Sequence, residues 1–152
     1  MMVSNNIVME NVHIWGRNFS GIEKKFNPAG KRNFCVTLDE QNAMNLKNEG
    51  WNIKTIQPND QYDQPMYYLQ VNLNYGRIKP LVVLISSAGK QELDENTVGL
   101  LDTAELANVD LVIRPYNWEV NNQTGVKAYV KSIYVTLAED ELAAKYRDSY
   151  DE

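Results

Sequence analysis

The chain reads as a mainly β protein, a small antiparallel barrel or sandwich with one clear helix. Three observations predict this. Apolar residues recur at every second position through most of the chain, the period of a half-buried strand. Only one segment carries both helix start and helix stop signals. The strand-like segments follow one another without the alternating helices that a parallel sheet needs.

Taken in order, residues 8–19 set Val8, Val12 and Ile14 against Asn11, His13, Trp15, Arg17 and Phe19. In 32–38, Phe34, Val36 and Leu38 form one face. The helix is expected over 40–49, with Asp39 as N-cap, Ala43 and Leu46 on one face, and Gly50 as the stop. Trp51, just beyond, is expected to staple the helix to the sheet. In 67–75, Tyr67, Leu69, Val71, Leu73 and Tyr75 face one way, and Tyr68, Gln70, Asn72 and Asn74 the other. "PLVVLIS" (80–86) is a buried strand, "SSAGK" (86–90) a hairpin turn, and 94–102 a weak short helix. Residues 109–120 and 126–137 flank the turn-rich "NNQTG" and predict a long hairpin.

Composition bounds the function classes. A chain of 152 residues suits one domain with a sizeable core. Its 43% hydrophobic and 23% charged residues are those of an ordinary globular protein rather than a disordered one. The longest apolar run, "PLVVLI", is too short for a membrane span, and "MMVSNNIVMENVH" lacks the features of a secretion signal. Cys35 is the single cysteine, so neither an internal disulfide nor a cysteine zinc cluster can form. These features predict a cytoplasmic protein with no membrane partner.

Net charge is −5, which at first opposes nucleic-acid binding. The distribution changes that conclusion. Residues 138–152, "AEDELAAKYRDSYDE", hold six acids and two bases, leaving 13 bases and 14 acids in residues 1–137. Five of those 14 lie in 92–105, so much of the remaining body is mildly basic. The expected organisation is a body over 1–137 and an acidic tail over 138–152.

The stretch "VIRPYNWEV" (112–120) places a proline, an arginine and two rings together. Pro115 cannot donate to a ladder and belongs on an edge or at a bulge. Tyr116 and Trp118 are two apart and share a face with each other; with Arg114 they can form a stacking platform. An arbitrary aromatic pair on a strand more often fills the core. The partner strand decides otherwise, because Val126, Ala128 and Val130 are core-like and leave Lys127, Tyr129 and Lys131 opposite. Rings for bases alternate there with cations for phosphates. Trp15, Arg17 and Phe19 repeat the theme, followed by Lys24, Lys25, Lys31 and Arg32.

The succession "SSAGK", an acidic stretch, "DLVIRPYNW" (110–118), "GVKAYVKSIYVTL" (125–137) and an acidic C-terminus resembles the short bacteriophage single-stranded-DNA-binding proteins. The resemblance covers roughly the C-terminal half. It implies an OB-fold-like barrel, sequence-independent ssDNA binding in phage replication or recombination, no cofactor, no enzymatic activity, and a tail that contacts replication proteins. It assigns DNA contact to Tyr116, Trp118 and Lys127. The tail departs from the family in ending "SYDE" rather than on an aromatic residue, and the helix follows the second strand instead of the third.

Other chemistry finds little support. His13 is the only histidine and sits among outward strand positions, which suits a surface role better than catalysis. "SSAGK" is too short for a phosphate-binding loop. Glu92, Asp94, Glu95, Asp102 and Glu105 lack paired metal-ligand spacing and read as a solvated loop. Cys35 has no activating partner in the pattern.

The expected ssDNA contacts are therefore Trp15, Arg17, Phe19, Lys24, Lys25, Arg114, Tyr116, Trp118, Lys127, Tyr129 and Lys131. In the tail, Leu142 and Tyr150 are apolar anchors for a partner, alongside Asp148, Asp151 and Glu152. The tail is either mobile or a helix packed through Leu142 and Tyr146. The alternative function is an OB-like protein-interaction or oligomerisation module whose aromatic rows form the interface. Assembly as a homodimer stays open.

Overall fold

The computed structural model describes residues 2–139. The tail positions Leu142, Asp148, Tyr150, Asp151 and Glu152 lie outside the described residues. The elements in order are β1 (Ile7–Met9), β2 (Ile14–Asn18), β3 (Arg32–Leu38), α1 (Glu40–Glu49), β4 (Lys54–Ile56), β5 (Met66–Leu73), β6 (Leu81–Ser86) and β7 (Gly89–Leu93). A short 3-10 turn (Val98–Asp102) then leads into β8 (Leu106–Val120) and β9 (Gln123–Leu137). No helix among the described residues is long and apolar enough to cross a membrane.

The chain is mainly β and OB-like, with a mixed sheet that does not close into a barrel. Its strand order is β1-β8-β9-β5-β3-β2, with β4 paired to β5 and the β6–β7 hairpin attached to β9. The expectation of a purely antiparallel sheet is corrected at two places. β9 runs parallel to β5 at Val71↔Ala128 and Asn72↔Tyr129, and parallel to β6 from Leu81↔Ser132 to Ile85↔Thr136. One edge of β9 is thus shared between two strands. The change of partner falls at Lys131, where the β8–β9 register also shifts: Val112 faces Ser132 and Ile113 faces Val130. An extra residue of this kind bends its strand.

The β1 and β2 ends of the sheet are joined by hydrogen bonds rather than by a ladder. Val12 N donates to Val109 O at 3.0 Å. Arg17 Nη1 donates to Leu101 O at 2.9 Å and to Ala104 O at 2.7 Å. Asp102 accepts from Phe19 N at 2.5 Å, and also from the backbone N and the hydroxyl of Ser20.

Local signals explain most elements. Asp39 caps α1 by accepting from Asn42 N at 2.8 Å, and Gly50 ends it at φ 109°. Gly50 N donates to Lys47 O and Trp51 N to Leu46 O, which delivers the buried Trp51 into the core. The predicted long hairpin is present and tighter than "NNQTG" suggests. Only Asn121 and Asn122 form its turn, at φ 53° and 65°, the sign a two-residue hairpin requires at both positions.

The single strand expected over 8–19 is two strands. Asn11, at φ 49°, turns the chain, so β1 pairs with β8 while β2 pairs with β3. Within β2 a second irregularity reverses the alternation. Gly16 adopts φ 59°, and the register shifts between Trp15↔Cys35 and Asn18↔Asn33. Asn18 therefore takes the outward phase of Trp15, and Phe19 falls inward.

Phe19 is a correction to the expected contacts: it is 0% exposed and stacks on Phe34, with ring centroids 5.1 Å apart. It fills the core with Val36, Val71, Ile113 and Ile133 and cannot meet a base. Phe19→Ala should therefore cost about 3–5 kcal/mol of stability, read from the urea midpoint. A variant as stable as the parent would place the ring outside the core.

Candidate nucleic-acid interface

Residues opposite one another across a ladder share a sheet face, so the register assembles the site. Burial of Val126, Ala128 and Val130 turns Lys127 and Tyr129 outward on β9. Opposite them on β8 stand Tyr116 and Arg114, with Trp118 opposite Gly125. Across the other edge of β9, Tyr129 faces Asn72, and Asn72 faces Asn33. Further along, Gln70 faces Cys35, and Cys35 faces Trp15. One outer face thus runs through five strands, from Trp118 to Trp15.

The rings on this face are held in place. Tyr116 is 52% exposed and meets Tyr129 edge-on, with centroids 5.9 Å apart. The Arg114 guanidinium lies 5.0 Å from the Tyr129 centroid, within cation–π range. Trp118 rests on Gly125, where any Cβ would collide with the indole. At the other end Trp15 packs edge-on against Tyr68 at 5.0 Å. Among the described residues the outer edge of β8 has no ladder partner beyond Ile113, because β1 ends there. Pro115 is tolerated at that edge, two residues past the register shift. Asn117 ties the edge down by exchanging two hydrogen bonds with the Val3 backbone, at 2.8 and 2.7 Å.

A groove of about 500 Å³ opens beside this row, between the β2–β3 loop, the end of β5 and β9. Lys31, Arg32 and Lys127 line it with Tyr75 and Tyr129, against the single carboxylate Glu95. Arg32 donates to Phe19 O at 2.5 Å and lies 5.4 Å from the Tyr75 ring centroid. Burial pushes the Tyr75 hydroxyl up to about 12, against the pull of Arg32 and with help from Asp94 and Glu95. It therefore remains neutral at physiological pH. Burial likewise raises the Cys35 thiol, partly offset by Lys54, and keeps it protonated.

Four buried polar atoms among the described residues have no hydrogen-bond partner: Trp15 Nε1, Thr37 Oγ1, Tyr75 Oη and Arg114 Nε. Three belong to residues of this outer face and the fourth to the groove. An unpaired buried polar group costs about 1–3 kcal/mol. Such imperfections are uncommon in native proteins, and here they gather on the candidate interface.

The expected contacts divide accordingly. Trp15, Arg114, Tyr116, Trp118, Lys127 and Tyr129 share the outer face. Lys131 is exposed at the bulge, and Lys24 and Lys25 are exposed on the β2–β3 loop. Arg17 spends its guanidinium on Leu101 and Ala104 and acts as a clamp, and Phe19 is in the core. Tyr68, Gln70 and Asn72 join the face as well, in keeping with the outward phase of their alternation in 67–75. No group of three or more His, Cys, Asp or Glu residues among the described ones could hold a metal ion.

Gly125→Ala tests this geometry. The added methyl should evict the indole and red-shift the Trp118 emission. The roughly 0.5–1 kcal/mol by which alanine is favoured over glycine in a strand partly offsets the missing ring packing, so stability should change little. An unshifted spectrum would mean that the indole is not seated on Gly125.

A family model described as "Putative phage ssDNA-binding domain" matches residues 1–151. No curated protein matches the sequence. Among solved structures, the chain is similar to the single-stranded DNA-binding protein of bacteriophage Enc34. Its C-terminal truncation matches with TM-score 0.58 and 14% identity, covering 89% of this chain and 87% of that one. The form without that truncation matches at 0.56 and 15%, covering 96% and 90%. The structure of that protein in complex with ssDNA matches at 0.57 and 14%, covering 89% and 88%. At such identities the likeness establishes the fold, while the family match spans nearly the whole sequence. The chain belongs to the phage ssDNA-binding domain family.

Proposed function

We propose that the protein binds single-stranded DNA without sequence preference, laying the strand across the outer face from Trp118 to the groove beside Lys127. The observation that carries this reading is the mixed row of Arg114, Tyr116, Lys127 and Tyr129, which alternates rings with cations on one face. Every base has a π-face and every nucleotide a phosphate, so stacking and ion pairing serve any sequence. Family membership supports the reading, as does a shared fold with a protein solved in complex with ssDNA. The protein acts as a non-catalytic coat on strands exposed during phage replication or recombination, in the host cytoplasm.

The acidic segment 138–152 completes the proposal. Six acids against two bases, tethered to a cationic groove, compete with DNA at high effective concentration. Once displaced, Leu142 and Tyr150 with Asp148, Asp151 and Glu152 become available to a basic surface on a replication protein.

Titration with oligo-dT, followed by tryptophan emission, tests the platform. Tyr116→Ala should weaken binding by about 5- to 150-fold, the equivalent of one stacked base at roughly 1–3 kcal/mol, with an unchanged melting temperature. Wild-type affinity in that variant would remove Tyr116 from the path.

Salt tests the cations. Lys127→Ala should flatten the plot of log affinity against log salt by about 0.7 for each phosphate that the lysine neutralises. An unaltered slope there and in Lys131→Ala would route the strand elsewhere. If aromatic rows serve protein assembly instead, oligo-dT will not bind and the molecular mass will depend on concentration. Truncation after Leu137 should tighten ssDNA binding at low salt, with a gain that shrinks as salt screens the tail. Unchanged affinity would exclude competition.

A further inference from the structure

The β2–β3 loop presents Phe26 at 90% exposure, the highest among the exposed large hydrophobic side chains of the described residues. A single exposed phenylalanine is commonplace. Three features set this one apart.

The ring is presented by a hydrogen-bonded turn. Lys24 N donates to Asn27 O at 2.8 Å and Asn27 N to Lys24 O at 3.0 Å, leaving Lys25 and Phe26 at the tip. The Asn27 amide reaches Lys31 O at 2.9 Å and Pro28 O at 3.2 Å. Across the base of the loop, Gly30 N donates to Gly21 O at 2.8 Å.

Two polar side chains on the outer face of β2 and β3 are buried while holding this loop. Among the described residues, Asn18 and Asn33 are the buried polar side chains, at 2% and 8% exposure. Asn18 exchanges two 3.0 Å bonds with the Ile22 backbone, and Asn33 donates to Asn27 Oδ1 at 2.8 Å. Burying an amide is costly unless it is paired, and both pair with the loop that carries Phe26.

The third feature is charge and position. Lys24 and Lys25 immediately precede the ring, and Lys25 Nζ lies 5.4 Å from its centroid. Farther along the same loop, Gly30 and Lys31 line the groove whose other wall is Lys127 and Tyr129. A ring beside two cations, on a loop that also lines a basic groove, suits a polyanion with flat apolar faces better than an apolar protein segment.

We propose that the Lys24–Asn27 turn is a separate nucleotide subsite, in which Phe26 stacks on a base and Lys24 and Lys25 hold the neighbouring phosphates. It rests on the reading of the outer face as the ssDNA path, and takes nucleotides that leave the groove past Lys31. Short strands fill the sheet alone, whereas longer ones gain the turn through the effective concentration of a tethered second contact.

The test compares oligo-dT of about 4 and about 16 nucleotides, the ends of the range for one OB-fold, on wild type, Phe26→Ala and Phe26→Trp. Phe26→Ala should bind the long strand about fivefold or more weakly, the minimum for one missing stack, and the short strand as wild type does. In Phe26→Trp, the long strand should quench emission beyond the wild-type response and the short strand should not. Equal binding of both lengths by wild type and Phe26→Ala, with no added quenching in Phe26→Trp, would overturn the subsite while leaving the sheet face intact. Equal weakening at both lengths would merge the turn with the main path and likewise overturn a separate subsite. Failure of wild type to bind either strand would overturn the sheet-face reading and the subsite with it.

Discussion

Strand β9 lies at the centre of this sheet, and one extra residue in it controls what the rest can do. β8 follows it for nearly its whole length, but its other edge is divided between β5 and β6. Lys131 sits where the partners change, opposite the register shift of β8. N-terminal to it, β9 joins β5, β3 and β2 and shares their outer face. C-terminal to it, the strand supports the β6–β7 hairpin instead. Without the bulge, one straight strand would have to serve both groups, and the five-strand face would lose its continuity with the platform of β8. The cation that marks the division is itself exposed beside that face.

What can be read from the sequence follows from which interactions are local. Period-2 alternation correctly orients Leu69, Val71 and Leu73 inward and Lys127 and Tyr129 outward, because side-chain direction in a regular strand depends only on position. The cap at Asp39 and the stop at Gly50 are legible for the same reason. Alternation fails at Phe19 because Gly16 inserts a left-handed residue that resets the phase, and a glycine in a strand signals only that such a change can occur. The parallel pairings of β9 join residues more than 45 positions apart and leave no trace in any local pattern. Phe26 gives no signal of its own because it lies in a loop, outside both periodicities.

The acids between 92 and 105 also look different once folded. Asp102 satisfies the backbone of Phe19 and Ser20, so it fixes the end of β2 and with it the burial of Phe19. Asp94 Oδ1 accepts from Asn96 N, Thr97 N and the Thr97 hydroxyl at the entry to the 3-10 turn. That turn receives Arg17 at Leu101. These carboxylates are structural parts of the junction between β2 and β8. Glu95 differs, since it reaches the groove and places one negative charge against Lys31, Arg32 and Lys127. A single carboxylate there reduces the positive charge of the groove without reversing its sign.

The proposed lack of sequence preference can also be weighed against the amides of the groove. An amide that offers donor and acceptor together can pair bidentately with a base edge, as Asn or Gln does with adenine. The asparagines that line the groove are partly committed. Asn72 Nδ2 donates to Ala128 O at 3.2 Å, helping to hold β5 against β9, and Asn74 Oδ1 accepts from Gly76 N at 2.8 Å. Each amide keeps a free N–H and a free lone pair, but the bond it makes fixes how it can approach a ligand. Beside them the groove carries the rings of its tyrosines and the charge of Lys31, Arg32 and Lys127. Both engage features common to all four nucleotides. The hydrogen bonds at this edge thus restrict the orientation of the two amides nearest the tyrosines and lysines of the groove.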